Sequence, residues 1–198
     1  MPPRPPSLAE LLRELDADEL REVVTALCKL TPQNRTFVEL FLQGSDSVDP
    51  GAVLDALTGR LRPCFFSRTQ RPLGRPDLAE ARRLVIEHER IAADHPALAA
   101  EGALVYVELA AAYATGLRER GRFLQTATAD AAVRMYERFV RAALARPTLA
   151  ERLMPRAEAV VGLDRRMRRL LLALQSGDAS VLAPEPSEED PGYRVEYD

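Results

Sequence analysis

The chain has 198 residues, 46% of them hydrophobic, with a net charge of −3 and two cysteines. That is ample apolar material for a core, too weak a charge bias to diagnose nucleic-acid binding by itself, and too few cysteines for a disulfide framework. The charge is uneven, because Pro184–Asp198 carries six acids against Arg194, net −5, which leaves about +2 on the rest.

The opening "MPPRPPSLAELL" has prolines where a signal peptide would carry an apolar core, so residues 1–6 are expected to be disordered and the protein cytoplasmic. Ser7 begins an S-x-x-E capping box, and Asp16 begins "DADE" before a second helix through "ELREVVTALCKL". Thr31-Pro32 restarts the pattern, closed by Gly44, and Asp49-Pro50 repeats the device before "GAVLDALTGRL". These N-terminal helices occupy 7–62.

An arginine-rich connection follows over 63–75. Arg60–Arg75 holds five arginines and no acid, and Pro63, Pro72 and Gly74 predict an extended path. Phe65 and Phe66 are expected to anchor it, leaving Arg62, Arg68, Arg71 and Arg75 on a solvated face. Interleaved aromatics and arginines also suit single-stranded nucleic acid, where bases stack and phosphates pair.

A helical bundle is expected over 76–176. Pro76–Asp94 is a helix broken at His95-Pro96, and Ala97–Arg120 is apolar on all sides in its middle, as a central buried helix is. Its most apolar run, Ala103–Ala114, falls short of the roughly 20 residues of a membrane span, so no membrane association is expected. Thr128 is the predicted cap of Ala129–Ala145, where Val133, Tyr136, Phe139, Val140 and Ala143 form one stripe and Glu137–Arg141 are spaced as an ion pair. Leu149–Gln175 reads as the last helix, weakened at Pro155 and Gly162 and ended by Ser176-Gly177. Residues 177–198 are expected to be an acidic disordered tail.

Catalytic motifs are missing. There is no GxGxxG, P-loop, HExxH or G-x-S-x-G. His88 and His95, seven residues apart, would stand about 10 Å apart along a helix, too far to share a metal. His88 fits a packed core position, and His95 a helix C-terminus, where a cation suits the dipole. Cys64 is either a reactive thiol lowered by arginines or a small buried apolar residue. Glu108, a carboxylate in an apolar helix, either faces an arginine or lines a cavity. No catalytic, cofactor-binding or metal-ligating residues are assigned. Lys29 is the only lysine, and the arginine excess reads either as a preference for guanidinium forks or as the coding of a GC-rich genome. A second cluster, Arg165, Arg166, Arg168 and Arg169, could join the first only if the fold brings them together.

The stretches "LAELLRELDADELREVVTALCKLTPQNRTFVELFL" and "FFSRTQRPLGRPDLAEARRLVIEHERI", with "VYVELAAAYATG" and "MYERFVRAAL", resemble a bacterial domain-of-unknown-function family of small all-helical proteins. The resemblance covers about 7–175 and implies an all-helical fold. That family carries no assigned activity or site residues. Phe139, Ala142 and Pro147 also sit at the spacing of a tetratricopeptide helix, but no period of about 34 residues recurs.

The expected fold is therefore all-α, with seven to eight helices packed as antiparallel hairpins in one domain over 7–176. The expected function is a non-enzymatic protein–protein interaction module with a protein partner. Nucleic-acid binding through the 60–75 segment is the alternative, and an enzyme using Glu108, His88 or Cys64 the third reading. The sequence says nothing of oligomeric state.

Overall fold

The computed structural model describes residues 8–31, 34, 35, 38 and 49–182. Ser7, most of the helix predicted to close at Gly44, residues 1–6 and residues 183–198 lie outside them. The chain forms two compact units, residues 1–53 and 54–198, where the sequence reading runs one domain over 7–176.

The first unit holds α1 (Leu8–Glu14) and α2 (Ala17–Leu30). Asp16 separates them because its carboxylate accepts from the amides of Asp18 and Glu19 at 2.8 Å, while Glu19 accepts from the Asp16 amide at 2.8 Å. This reciprocal box satisfies donors that the first turn leaves open. After α2, Thr31 Oγ1 accepts from the Asn34 amide at 3.1 Å, the capping bond expected there. Asp49 Oδ1 accepts from Gly51 at 2.9 Å and starts α3 (Pro50–Phe65), which carries the chain across the boundary between the units.

The second unit continues with α4 (Leu78–Ile91), α5 (Pro96–Arg118), α6 (Thr126–Leu144), α7 (Pro147–Val160) and α8 (Arg165–Ser176). The all-α class holds, with eight helices and no strand among the described residues. Short links keep successive helices side by side. The core is built around α5, which packs against α4, α6 and α7. Fourteen of its 23 residues are buried, among them Leu104, Tyr106, Tyr113 and Leu117. By length and apolarity α5 could cross a membrane, a longer apolar helix than the 103–114 run suggests, and most of it is covered by the bundle. Gly102 lets α4 close on it, since a Cβ there would stand 2.3 Å from His88 Cδ2.

The stripe of α6 is buried as its spacing predicts, with Glu137 and Arg141 paired at 2.6 Å on its flank. Tyr136 donates from its hydroxyl to the Ala157 carbonyl at 3.1 Å, joining α6 to α7. On α8, Met167, Leu170 and Leu174 face inward, and Gly177 at φ 72° ends the helix in the left-handed region that glycine favours.

Four local expectations are corrected. The single helix over 149–175 is two, because Val161–Leu163 tightens into a 3-10 turn and Asp164 restarts the chain by accepting from the Arg166 amide at 2.8 Å. Thr128 is not a cap: α6 begins at Thr126 with Gln125 before it, and Thr128 turns into the core. His95 stands at the N-terminus of α5, not at the end of α4, which stops at Ile91 with the Ala92 amide bonded to the His88 carbonyl at 2.8 Å. The tail does not begin at 177, since Asp178 caps a turn over Ala179–Val181 and Leu182 packs partly against the core.

Thr128 Oγ1 is fully buried and has no hydrogen-bond partner among the described residues. A buried hydroxyl without a partner forfeits its hydration and gains nothing back. Thr128→Val keeps the shape and removes that penalty, so it is expected to stabilise the fold by about 1 kcal/mol in urea denaturation. A loss of stability would show that the hydroxyl is satisfied.

Candidate functional site

The arginine-rich segment starts later than its prolines suggest. Helix α3 runs through Pro63 to Phe65, and the Phe66 amide still donates to the Arg62 carbonyl at 2.9 Å. A proline so near a C-terminus removes only one helical bond, which the ending helix tolerates. Cys64 and Phe65 therefore belong to the last helical turn, not to an extended connection.

Beyond Phe66 the chain folds back on itself. Phe66 and Pro72 form an isolated antiparallel bridge, the Ser67 amide donates to Arg71 at 2.8 Å, and the Gln70 amide donates to Ser67 at 2.9 Å. Gln70 takes φ 58°, the left-handed conformation that closes this turn. The amides of Leu73 and Asp77 reach back to the carbonyls of Phe65 and Cys64, both at 2.9 Å. The expected extended path is thus a hydrogen-bonded knuckle.

Aromatic packing fixes the knuckle to α5. Phe65 is fully buried, edge-on to Tyr106 at 5.5 Å and tilted against Tyr113 at 5.9 Å. Phe66, half-buried, meets Tyr113 edge-on at 6.2 Å. The Tyr113 hydroxyl donates to the Leu73 carbonyl at 3.0 Å, and burial raises its pKa, holding the proton it donates. A Cβ on Gly116 would stand 2.7 Å from Pro72 Cγ, so the absence of a side chain there admits the knuckle.

This anchoring sorts the predicted residues. Phe65 is sealed in the core, as an anchor should be. Arg62 is exposed, 5.7 Å above the Phe66 ring, and donates to Gln70 Oε1 at 2.9 Å. Arg68, Arg71 and Arg75 are exposed, with no side-chain partner among the described residues. Arg60, the fifth arginine of the stretch, is committed to Glu87 on α4 at 3.0 and 3.1 Å. In the second cluster Arg166 is held by Asp130 and Asp164 at 2.6 and 2.8 Å.

The residues weighed for chemistry have structural partners. Burial pushes the Cys64 thiol pKa up, and Asp77 and Glu80 push it further, opposite to a reactive thiolate. His88 donates through Nε2 to the Leu98 carbonyl at 3.0 Å, and burial pulls its pKa down. Glu108 faces Arg156, which donates to both its oxygens at 2.7 and 2.8 Å. No group of three or more potential metal ligands occurs among the described residues.

Sequence reasoning missed two groups. Glu101, nearly buried, pairs with Arg152 and with Arg156, the latter at 3.3 Å, and so extends the Glu108 pair into a charged seam between α5 and α7. Glu101 and Glu108 are seven residues apart and Arg152 and Arg156 four, spacings that place each pair on one helix face. Arg122, which donates to the Gly74 carbonyl at 3.4 Å, and Phe123, 93% exposed beside it, carried no signal at all. Comparison of the chain with family models, curated proteins and solved structures finds no match, so no residue roles come from relatives.

Two outcomes follow from these bonds. Tyr113→Phe removes the donor to Leu73 and is expected to destabilise by about 1 kcal/mol, with faster hydrogen exchange at the Ser67, Gln70 and Leu73 amides. Unchanged exchange would mean the knuckle holds itself closed. For His88, the folded state binds a proton less readily than the unfolded state, so stability falls as pH drops below the ordinary histidine value of 6.5. Urea melts between neutral and mildly acid pH should show this slope, and His88→Gln should reduce it.

Proposed function

We propose that the protein is a non-enzymatic helical module that binds an amphipathic helix of a protein partner along α2. The observation that carries this is an uncovered apolar face. Leu11, Leu12, Val23, Val24, Leu27 and Leu30 make up six of the eight large hydrophobic side chains that stand exposed among the described residues, with Leu30 at 72%. Helix α2 buries none of its residues. Val23, Val24, Leu27 and Leu30 recur at three- and four-residue steps, so they form one stripe.

A stripe of this kind is the usual anchor of helix-in-groove recognition, where contacts at i, i+3, i+4 and i+7 supply the affinity. Capped by Asp16 and followed by the Thr31 bond, the helix is preformed, which lowers the ordering entropy of association. The non-enzymatic part of the reading is supported by the second unit, where Cys64, His88 and Glu108 are taken up by burial, a backbone carbonyl and an arginine.

The test is capture from the native host by the tagged full-length chain after nuclease treatment, beside Val24→Asp/Leu27→Asp. A protein held by the wild type and lost from the variant is then purified and its affinity measured with both chains. The double substitution is expected to weaken binding by at least about 30-fold, because two apolar anchors leave the interface. Both residues are partly exposed, so circular dichroism should report an unchanged fold. Equal binding by wild type and variant would sink the α2 site, and loss of every partner to nuclease would sink a protein partner altogether.

A further inference from the structure

We infer that the end of the second unit where the arginine knuckle meets the α5–α6 turn is a binding surface for single-stranded nucleic acid. It stands apart from the α2 reading and uses none of its residues. Three contacts bring the two stretches together although they are far apart in the chain. Arg122 bonds the Gly74 carbonyl, Tyr113 bonds the Leu73 carbonyl, and Pro72 fits against Gly116. Arg75 through Ala79 also share one shallow pocket wall with Gln125 and Ala127 at the start of α6.

The charge of this end is unlike that of the whole chain. The knuckle supplies Arg68, Arg71 and Arg75, and the turn supplies Arg118, Arg120 and Arg122, all exposed. Against these six stand two acids of the same stretches, Glu119 and Asp77, and Asp77 is occupied in capping α4 through a bond from the Glu80 amide at 3.0 Å. A concentrated basic face is the electrostatic footprint of a nucleic-acid surface, and the net charge of −3 conceals it because the C-terminal stretch outweighs it.

Charge alone would fit any polyanion, and Phe123 narrows the choice. Its ring is 93% exposed, in a turn set by Gly121 at φ 65° and flanked by Arg122. A bare aromatic face among arginines is the pairing that single strands use, bases stacking while phosphates meet guanidinium groups. A duplex hides the faces of its bases and would leave Phe123 idle. An acidic polypeptide would use the arginines and offer the ring no flat partner. The knuckle is already closed by its own hydrogen bonds, so little ordering is needed to present Arg68 and Arg71.

The experiment is fluorescence anisotropy of the full-length protein with oligouridylate and oligothymidylate of about 20 nucleotides. A duplex of equal length and polyglutamate serve as competitors, over a range of salt. Single strands should bind preferentially, and any difference between the RNA and DNA arms reports the 2′-hydroxyl contribution. Arg71→Ala/Arg75→Ala/Arg120→Ala should flatten the log–log salt dependence by about two, since each phosphate contact on a single strand contributes about 0.7. Phe123→Ala should weaken binding about tenfold with the salt slope unchanged, because a neutral ring releases no counterion. All four side chains are exposed, so none of these changes should alter the thermal melt. Absence of binding at low salt would overturn the proposal. So would tighter binding of the duplex, or displacement by polyglutamate together with a neutral Phe123→Ala, an outcome that assigns the surface to an acidic protein instead.

Discussion

Helix α5 has almost no polar face, and the second unit is organised by the need to cover it. A helix apolar on one stripe needs one neighbour, but one that is apolar all round must be enclosed. With fourteen residues buried, α5 takes α4 and α6 along its sides, α7 across the positions of Glu101 and Glu108, and the end of α3 at Tyr106 and Tyr113. The two carboxylates are the exceptions that show the rule. Each would be costly beneath a neighbouring helix without a cation, and Arg152 and Arg156 supply the cations from one face of α7. The seam therefore fixes which face of α7 meets α5 and how it is placed along the helix.

The shape of the arginine knuckle follows from the same enclosure. The C-terminal third of α5 exposes Tyr113 and Gly116 to whatever packs there, and the chain after α3 fills that space with Phe66, Pro72 and Leu73. Burying the apolar side of a short loop leaves its polar side chains pointing outward, which is why Arg68 and Arg71 project without partners among the described residues. Rigidity here is a by-product of core coverage. It also has a consequence for recognition, because an arginine on an anchored turn loses less freedom on binding than one on a free strand.

Legibility in the sequence tracks how local the causes are. Asp16, Asp49 and Gly177 announce helix ends through bonds within four residues of themselves, and the helices they bound fall where the spacing puts them. Pro63 and Thr128 mislead because each has a local meaning that the tertiary environment overrides: a proline tolerated at a helix end, and a hydroxyl drawn into the core instead of capping. Gly162 sits in the 3-10 turn that breaks the last helix, as its weakening effect predicts, whereas Pro155 is tolerated inside α7 and the restart rests on the Asp164 cap. Of the candidate site, the anchoring by Phe65 and Phe66 and the exposure of the arginines were legible in composition alone. The approach of Arg122 to Gly74, 48 residues away in the chain, has no trace in spacing, since it depends on how the α5 terminus and the knuckle share one end of the bundle.

Total charge was the least informative of the sequence quantities, for a physical reason. Screening confines the influence of an exposed charge to roughly 8–10 Å at physiological salt, so a ligand senses the local patch and not the sum. A chain at −3 with six acids gathered beyond Pro184 can present a positive field wherever its arginines are gathered by folding. The apolar stripe of α2 obeys different physics, being nearly indifferent to salt and weakened by cold instead. The two proposed surfaces, one in each unit, rest on such different physics that their binding would respond to different conditions. Under those proposals, ionic strength would tune the arginine surface and temperature the apolar stripe.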